Sequence, residues 1–316
     1  MTSQGRVLLV NPLIHDYCAH DFWAKPLGLL QLGARLRAAG LSVRLLDLMN
    51  PFIAGPDASG MALRRQFGQG KWQKTPIIRP ALLPDIGRRY YRFGAPLPVV
   101  RAALAAEPTP DVVLLSSTMT YWYPGLVETL GLVRAAFPRA TIGLGGVYAS
   151  LLPEHAAGLE VDLVLPGALP LALEPLFARL GWPPGRAFDA DLPYAHDLLG
   201  ICDSAAFCAS RGCPNRCLYC GIAALHPQFA TRPLAHVEQE LETLVGRMGL
   251  VDLALYDDAF LADRPQALAV LDRLAQLTPK PRVHTASGFP CRGLDREMAR
   301  AMFKAGFATI RLGLET

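Results

Sequence analysis

The chain's chemistry concentrates in its cysteines. Of seven, Cys202, Cys208, Cys213, Cys217 and Cys220 crowd into residues 202–220, while Cys18 and Cys291 stand alone. Residues 210–221 read S-R-G-C-P-N-R-C-L-Y-C-G, which spaces Cys213, Cys217 and Cys220 as C-x3-C-x2-C. Three thiolates on one tight loop can converge on a single metal centre, and thiolates are soft ligands that select zinc or iron–sulfur clusters. A four-iron four-sulfur cluster usually takes four cysteines. With three, one iron keeps an open position for a substrate or cofactor, as a catalytic zinc does. The intervening Pro214, Asn215 and Arg216 are turn-like and polar, which argues against three inert buried thiols. A zinc site with Cys208, Cys202 or His226 as fourth ligand stays open, although zinc sites usually carry two paired units and one C-x2-C pair is present here.

The elements around this loop follow from hydrophobic periodicity. From residue 206 onward, strands are expected at 207–210, 251–256, 282–286 and 309–314, with helices at 234–248, 265–277 and 295–305. Asp257 and Asp258 then end a strand, where parallel α/β barrels place their active sites. Alternation along 309–314 puts Arg311, Gly313 and Glu315 on one face. His284, Thr285 and Ser287 fall at the end of the third strand.

The first 180 residues show the same rhythm. Strands are expected at 6–11, 42–48, 111–117, 140–144 and 162–165, with helices at 26–39, 123–137 and 169–180. Strand–helix alternation implies a parallel sheet with right-handed crossovers, Rossmann-like or flavodoxin-like. Ser116, Ser117 and Thr118 end one strand, and Gly145 and Gly146 end another, so these small residues border the cleft such sheets use for ligands. Residues 50–105, rich in Pro, Gly and Arg, read as an insertion over the sheet. Residues 181–205 read as a linker.

Composition narrows the class. A hydrophobic share of 51% against 18% charged residues supports a large core and excludes disorder for most of the chain. Lys plus Arg is 31 and Asp plus Glu is 27, so the net charge is only +4, and without a basic run there is no indication of nucleic-acid binding. The longest apolar stretch, 163–173, is broken by Pro166 and Pro170 and falls short of the roughly 18–20 residues of a membrane span. The expected location is the cytoplasm, where an odd cysteine count also argues against a disulfide framework.

The C-x3-C-x2-C loop resembles the signature of the radical S-adenosylmethionine (SAM) superfamily, C-x3-C-x-aromatic-C, with Tyr219 as the aromatic residue. L-Y-D-D-A-F at 255–260 resembles that family's segment beside the bound methionine moiety, and R-L-G-L-E-T at 311–316 its fourth barrel strand. The N-terminal half is similar to the cobalamin-binding domain that precedes the radical domain in one large subgroup. Its cues are V-L-L-V-N-P at 7–12, K-P-L-G at 25–28, S-S-T-M-T-Y-W-Y-P at 116–124 and G-G-V-Y-A at 145–149.

The resemblance implies a Rossmann-like domain over 1–180, a linker over 181–205, and a partial (β/α) radical SAM barrel over 206–316 that stops after its fourth strand, where the family has six. It implies a [4Fe-4S] cluster on Cys213, Cys217 and Cys220. S-adenosylmethionine would lie near Tyr219, Tyr256, Asp257, Asp258, Arg311 and Glu315. Cobalamin would lie near Ser116, Ser117, Thr118, Gly145 and Gly146. In that family the cluster reductively cleaves SAM to a 5′-deoxyadenosyl radical that takes hydrogen from a substrate, and the protein binds, orients and shields. In the cobalamin subgroup a frequent outcome is methyl transfer to an unactivated carbon of a small-molecule or peptide substrate, with a donor such as ferredoxin or flavodoxin supplying electrons. Two departures stand out. N-P-L-I-H-D at 11–16 replaces the D-x-H-x-x-G motif of histidine-ligated cobalamin, leaving His15 and Tyr121 as weaker neighbours. P-G-A-L-P at 166–170 replaces the Gly-Glu-Gly turn frequent in relatives. The rival readings are a non-catalytic zinc- or cluster-binding scaffold or redox sensor, and a cobalamin-independent radical enzyme.

Overall fold

The computed structural model describes residues 5–55, 66–84 and 86–313. The N-terminal half is built on β1 (Arg6–Asn11), α1 (Leu27–Ala38), β2 (Ser42–Asp47), α2 (Leu97–Ala106), β3 (Val112–Ser117), α3 (Tyr123–Ala136), β4 (Thr141–Gly145), α4 (Gly146–Leu151), β5 (Leu163–Leu165) and α5 (Glu174–Leu180). The five strands pair in parallel in the order β2-β1-β3-β4-β5. That is the flavodoxin-like order, whose reversal between β1 and β3 opens a crevice at the strands' C-terminal edge.

Strand alternation assigns the two faces. Val7 and Leu9 of β1 pack with Leu29, Leu32 and Leu36 of α1 and with Leu176 and Phe177 of α5. Leu8 and Val10 pack against Val100 and Leu104 of α2 and Leu126, Leu130 and Val133 of α3. Burying each such side chain stabilises the fold by roughly 1.5–3 kcal/mol. The stretch expected as an insertion over 50–105 is thus partly sheet architecture, because its last nine residues belong to the crossover helix α2. Before it, Lys74–Pro76 and Tyr91–Phe93 form a small antiparallel sheet with Ile14–Asp16.

The C-terminal half comprises β6 (Ala205–Phe207), α6 (Leu234–Glu242), β7 (Asp252–Leu255), α7 (Arg264–Gln276), β8 (Arg282–Thr285), α8 (Arg296–Ala305) and β9 (Phe307–Thr309). Its four strands run in parallel in the order β9-β8-β7-β6, an open arc of βα units. Phe207, Leu253, Leu255 and Val283 face outward into one core with Val237 and Leu241 of α6, Val270, Leu271 and Leu274 of α7, and Met298 and Met302 of α8. The helix expected over 234–248 turns into a π-turn at Thr243–Arg247. The strand expected over 309–314 breaks in two. β9 pairs with β8 through a register shift at Val283/His284, and Leu312–Gly313 pairs separately with Phe289–Pro290. Between them the Arg311 N–H donates to Thr285 Oγ1 at 2.7 Å, so a side-chain oxygen takes the place of a ladder carbonyl.

Residues 181–205 are no free tether. Asp191, Tyr194 and His196 of this segment meet Arg232 and Glu240 in a buried charge network. Arg232 donates to both oxygens of Glu240 at 2.5 and 3.2 Å, to Asp191 at 3.2 Å and to the Cys208 carbonyl at 2.9 Å. Its guanidinium also lies 4.0 Å over the Tyr194 ring. Burial would raise the Glu240 carboxyl, but hydrogen bonds from His196 and Arg232 more than offset this and hold it below the usual carboxylate range. Arg232→Ala would take the shared guanidinium from two buried carboxylates, leaving Glu240 with His196 and Asp191 with Arg211 and His236, and should cost about 3 kcal/mol of stability. Arg232→Met, which keeps apolar volume, should not restore it while Glu240 stays charged; urea unfolding of both variants measures this.

Candidate cofactor sites

The cysteine loop is anchored at its base. Beyond β6, Ser210–Arg211 pairs antiparallel with Ala230–Thr231, closing residues 212–229 into a loop. Gly212 sits at φ +74°, and a Cβ there would come within 2.7 Å of the Gln228 carbonyl oxygen, so the turn into the first cysteine requires glycine. Asp257, just past β7, accepts from the Ala209 N–H at 2.9 Å and the Ser210 hydroxyl at 2.5 Å. Its carboxyl is buried, and burial pushes it up to about 6 despite these bonds. Asp258 beside it is exposed.

On the loop, Cys213 and Cys217 are half-buried and Cys220 is exposed, all as free thiols. The Cys220 N–H closes a turn on the Cys217 carbonyl at 3.0 Å. Tyr219 is 74% exposed. As placed, no three His, Cys, Asp or Glu side chains among the described residues are close enough to hold a metal ion. The donor chemistry nevertheless fits a cluster: three accessible soft ligands sit on a short loop whose ends are fixed, and metal binding supplies the free energy to draw such ligands together. Cys208 is different. It is buried, contacts the Tyr194 hydroxyl at 3.3 Å, and burial pushes its thiol up to about 11.

At the strand ends of the arc, Tyr256 donates its hydroxyl to the Trp23 carbonyl at 2.5 Å and accepts from the Lys25 N–H at 3.2 Å. Arg311 donates to the Ala286 carbonyl at 3.1 Å, and its guanidinium lies 4.2 Å over the Phe22 ring. Because the strand is broken there, Arg311 is not placed by strand alternation. Glu315 lies outside the described residues. His284 is fully buried, bound to Asp252 at 2.9 Å and Thr309 at 3.0 Å. The Trp23 indole stacks on it at 4.2 Å with 10° between planes. Phe22, Trp23 and Phe67 had no periodic or motif signal in the sequence; only the tertiary fold brings them to this wall.

A second site opens at the crevice of the N-terminal sheet. Ser116, Ser117, Thr118, Gly145 and Gly146 all line one cavity of about 230 Å³, together with Asn11, the first turns of α1, Gly167, and Leu225 and His226 from the cysteine-loop segment. Gly146 takes φ +85°, and a Cβ on it would fall 2.2 Å from Ser116 Oγ, so this edge stays open only with glycine. Small side chains and mostly apolar walls suit a cofactor's tail reaching between the strands, with the bulk of a large planar ring lying outside the cavity at its mouth. His15 is not among the lining residues: its Nε2 is 2.8 Å from Glu128, which Arg92 also clasps at 2.6 Å. Tyr121 is exposed and stands edge-on to Trp122.

Residues 208–316 match the family model of the Radical SAM superfamily. The match covers the C-terminal third of the chain, the part that carries the cysteine loop and the four-stranded arc. Two solved structures share the overall fold. One is a radical S-adenosylmethionine methyltransferase, TsrM, from Kitasatospora setae, with tryptophan substrate and a SAM analogue bound. It is 17% identical, with a TM-score of 0.64 over 98% of this chain and 59% of that one. The other is the same enzyme with cobalamin and a [4Fe-4S] cluster bound, 16% identical, with a TM-score of 0.63 over 99% of this chain and 61% of that one. At such identity the likeness is one of fold: the N-terminal sheet and the arc of βα units follow that enzyme's architecture. The chain spans about three fifths of those structures' length. No curated protein matches it. Among the described residues, no helix is long and apolar enough to cross a membrane.

Removing the Asp257 brace should loosen the loop base. Asp257→Ala should lower the iron taken up on reconstitution several-fold, measured as iron per chain. The folded carboxyl at about 6 lies above the unfolded value of about 3.9. Folding therefore favours the protonated form, and stability should fall as pH rises from about 4 to about 6 and then level off. The difference in melting temperature between wild type and Asp257→Asn, followed across that interval, should show this slope; a flat difference would remove the assignment.

Proposed function

We propose that the protein is a radical SAM enzyme with a cobalamin site in its N-terminal half, and that it transfers a methyl group to an unactivated carbon. The observation that carries this reading is the C-x3-C-x2-C loop at the C-terminal end of the first strand of a parallel βα arc, within the segment that matches the superfamily. Cys213, Cys217 and Cys220 would hold a [4Fe-4S] cluster with one iron open. When bound, the cluster supplies the electron that cleaves SAM to a 5′-deoxyadenosyl radical, and cobalamin supplies a methyl carrier. Asp257 fixes the entry to the loop. Asp258 is the exposed carboxylate beside it, available to accept from the methionine ammonium of SAM. Tyr256 and Arg311 at the strand ends would face the cofactor, and Tyr219 of the cysteine loop and Glu315 complete the proposed set. Ser116, Ser117, Thr118, Gly145 and Gly146 leave room for the corrin and its tail.

The substrate class is a small molecule or peptide, and a ferredoxin- or flavodoxin-type protein would deliver electrons. The solved TsrM structures support the cobalamin and methyl-transfer parts by fold, since that enzyme is a methyltransferase solved with cobalamin, a [4Fe-4S] cluster and a tryptophan substrate.

Anaerobic reconstitution with iron and sulfide, followed by SAM and a reductant, should yield 5′-deoxyadenosine and a brown protein. Colourless protein holding one zinc would sink the reading. Cys217→Ala should lose the cluster, and full iron retention would count against the ligand set. Hydroxocobalamin should bind near one per chain, and activity that is complete without it would remove cobalamin from the mechanism.

A further inference from the structure

The inner wall of the C-terminal arc is made of small and polar residues. Ala206, Ala254 and His284 lie level across three neighbouring strands, since Ala254 pairs with Ala206 on one side and with His284 on the other. A βα barrel ordinarily fills this space with its own side chains. Here the filling comes from the N-terminal half. The Trp23 ring is fully buried and packs with Ala206 and Ala254 while it stacks on His284. Its Nε1 donates to the Phe67 carbonyl at 2.6 Å. The ring lies one layer below Tyr256, whose hydroxyl holds the Trp23 carbonyl, so it forms the floor beneath the strand ends.

Trp23 holds this place at φ +61°, a left-handed conformation that a bulky residue adopts only when its surroundings over-determine it. The restraints are visible. Asp21 exchanges both backbone hydrogen bonds with Gly70 at 3.0 and 3.1 Å. The Ala24 N–H caps on the Asp21 carboxylate at 2.7 Å. Lys25 is buried, with its ammonium 3.6 Å from Asp203. Three residues beyond Trp23 the chain reaches Pro26 and enters α1, and Pro26, Leu27, Gly28, Leu29 and Gln31 form a wall of the N-terminal cavity. One short, restrained segment therefore floors the arc at one end and walls the cavity at the other.

We infer that Trp23 is a positioning residue that couples the two sites: occupancy of the N-terminal cavity fixes the start of α1, and through Trp23 and Tyr256 this sets the geometry of the strand ends where SAM would bind. The inference rests on the proposed cofactor assignment and adds to it a specific path. Coupling of this kind is reciprocal, so each ligand must change the affinity of the other by the same factor.

The test is binding, not turnover. With the cluster reconstituted, the Kd for SAM is measured with and without saturating hydroxocobalamin, and the reverse titration is run. The expected result is at least about fivefold tighter SAM binding with hydroxocobalamin, mirrored in the reverse titration. In Trp23→Ala the ratio should fall to within about twofold of one. Trp23→Phe, which keeps a ring on His284 and guards against a simple folding defect, should retain most of it. Hydrogen exchange should show hydroxocobalamin alone slowing exchange over 21–32 and at Tyr256. Both ligands binding with no mutual effect in wild type, or an undiminished effect in Trp23→Ala, would overturn the inference and leave the cofactor assignment standing. Failure of either ligand to bind would overturn both.

Discussion

A parallel arc of four strands has an inner face that must be covered, and in this protein a tryptophan from the other half of the chain covers it. The wall offers two alanines and a histidine, too little volume for a core of its own. An indole fits that flat surface, and the stack on His284 adds about 0.5–1.5 kcal/mol beyond area burial. Holding Trp23 in a left-handed conformation costs of the order of 1–3 kcal/mol. Burial of the ring, the bond from its Nε1 and the bond to its carbonyl from Tyr256 offset that cost. The two halves consequently share a core: Leu30 of α1 also belongs to the apolar cluster beneath β6 and β7.

The same logic separates rigid from adaptable parts around the cysteine loop. Its base is held by a buried carboxylate, Asp257, and by the Arg232–Glu240–Asp191 network that reaches the Cys208 carbonyl. Charges buried this well are useful only when fully paired, and they then resist displacement. Of the three thiols above this base, Cys220 is exposed and Cys213 and Cys217 are half-buried. Fixed ends and accessible ligands suit a centre whose final geometry is set when the metal enters. The cavity of the N-terminal sheet is prepared differently, by omission: glycine at 146 and small hydroxyl residues at 116–118 leave the crevice unfilled.

Much of this was legible in the chain. The period of apolar residues located most strands and helices, because burial on two faces imposes period two and helical packing imposes 3.6. α2 was hidden, since its Val100 and Leu104 pair sits at the end of a stretch dominated by proline, glycine and arginine. The last strand read as continuous, but it pairs with β8 only as far as Thr309 and Leu312–Gly313 then pairs with Phe289–Pro290, and no local pattern encodes such a change of partner. The role of Asp257 was legible only as a carboxylate at a strand end. That its oxygens are committed to Ala209 and Ser210 depends on how two strands far apart in sequence align.

The sequence by itself determined the ligand chemistry and the class of fold. Three cysteines at fixed spacing are a local fact, and strand–helix alternation is a local rhythm, so both survive without a structure. The tertiary structure decided the strand order, the gathering of residues 116–118 and 145–146 into one cavity, and the use of Trp23 as the floor of the other half. Each of those joins residues tens to hundreds of positions apart. Such contacts form because exposed apolar faces must find partners somewhere in the chain, and the sequence pattern shows that a face needs covering without showing which residue will cover it.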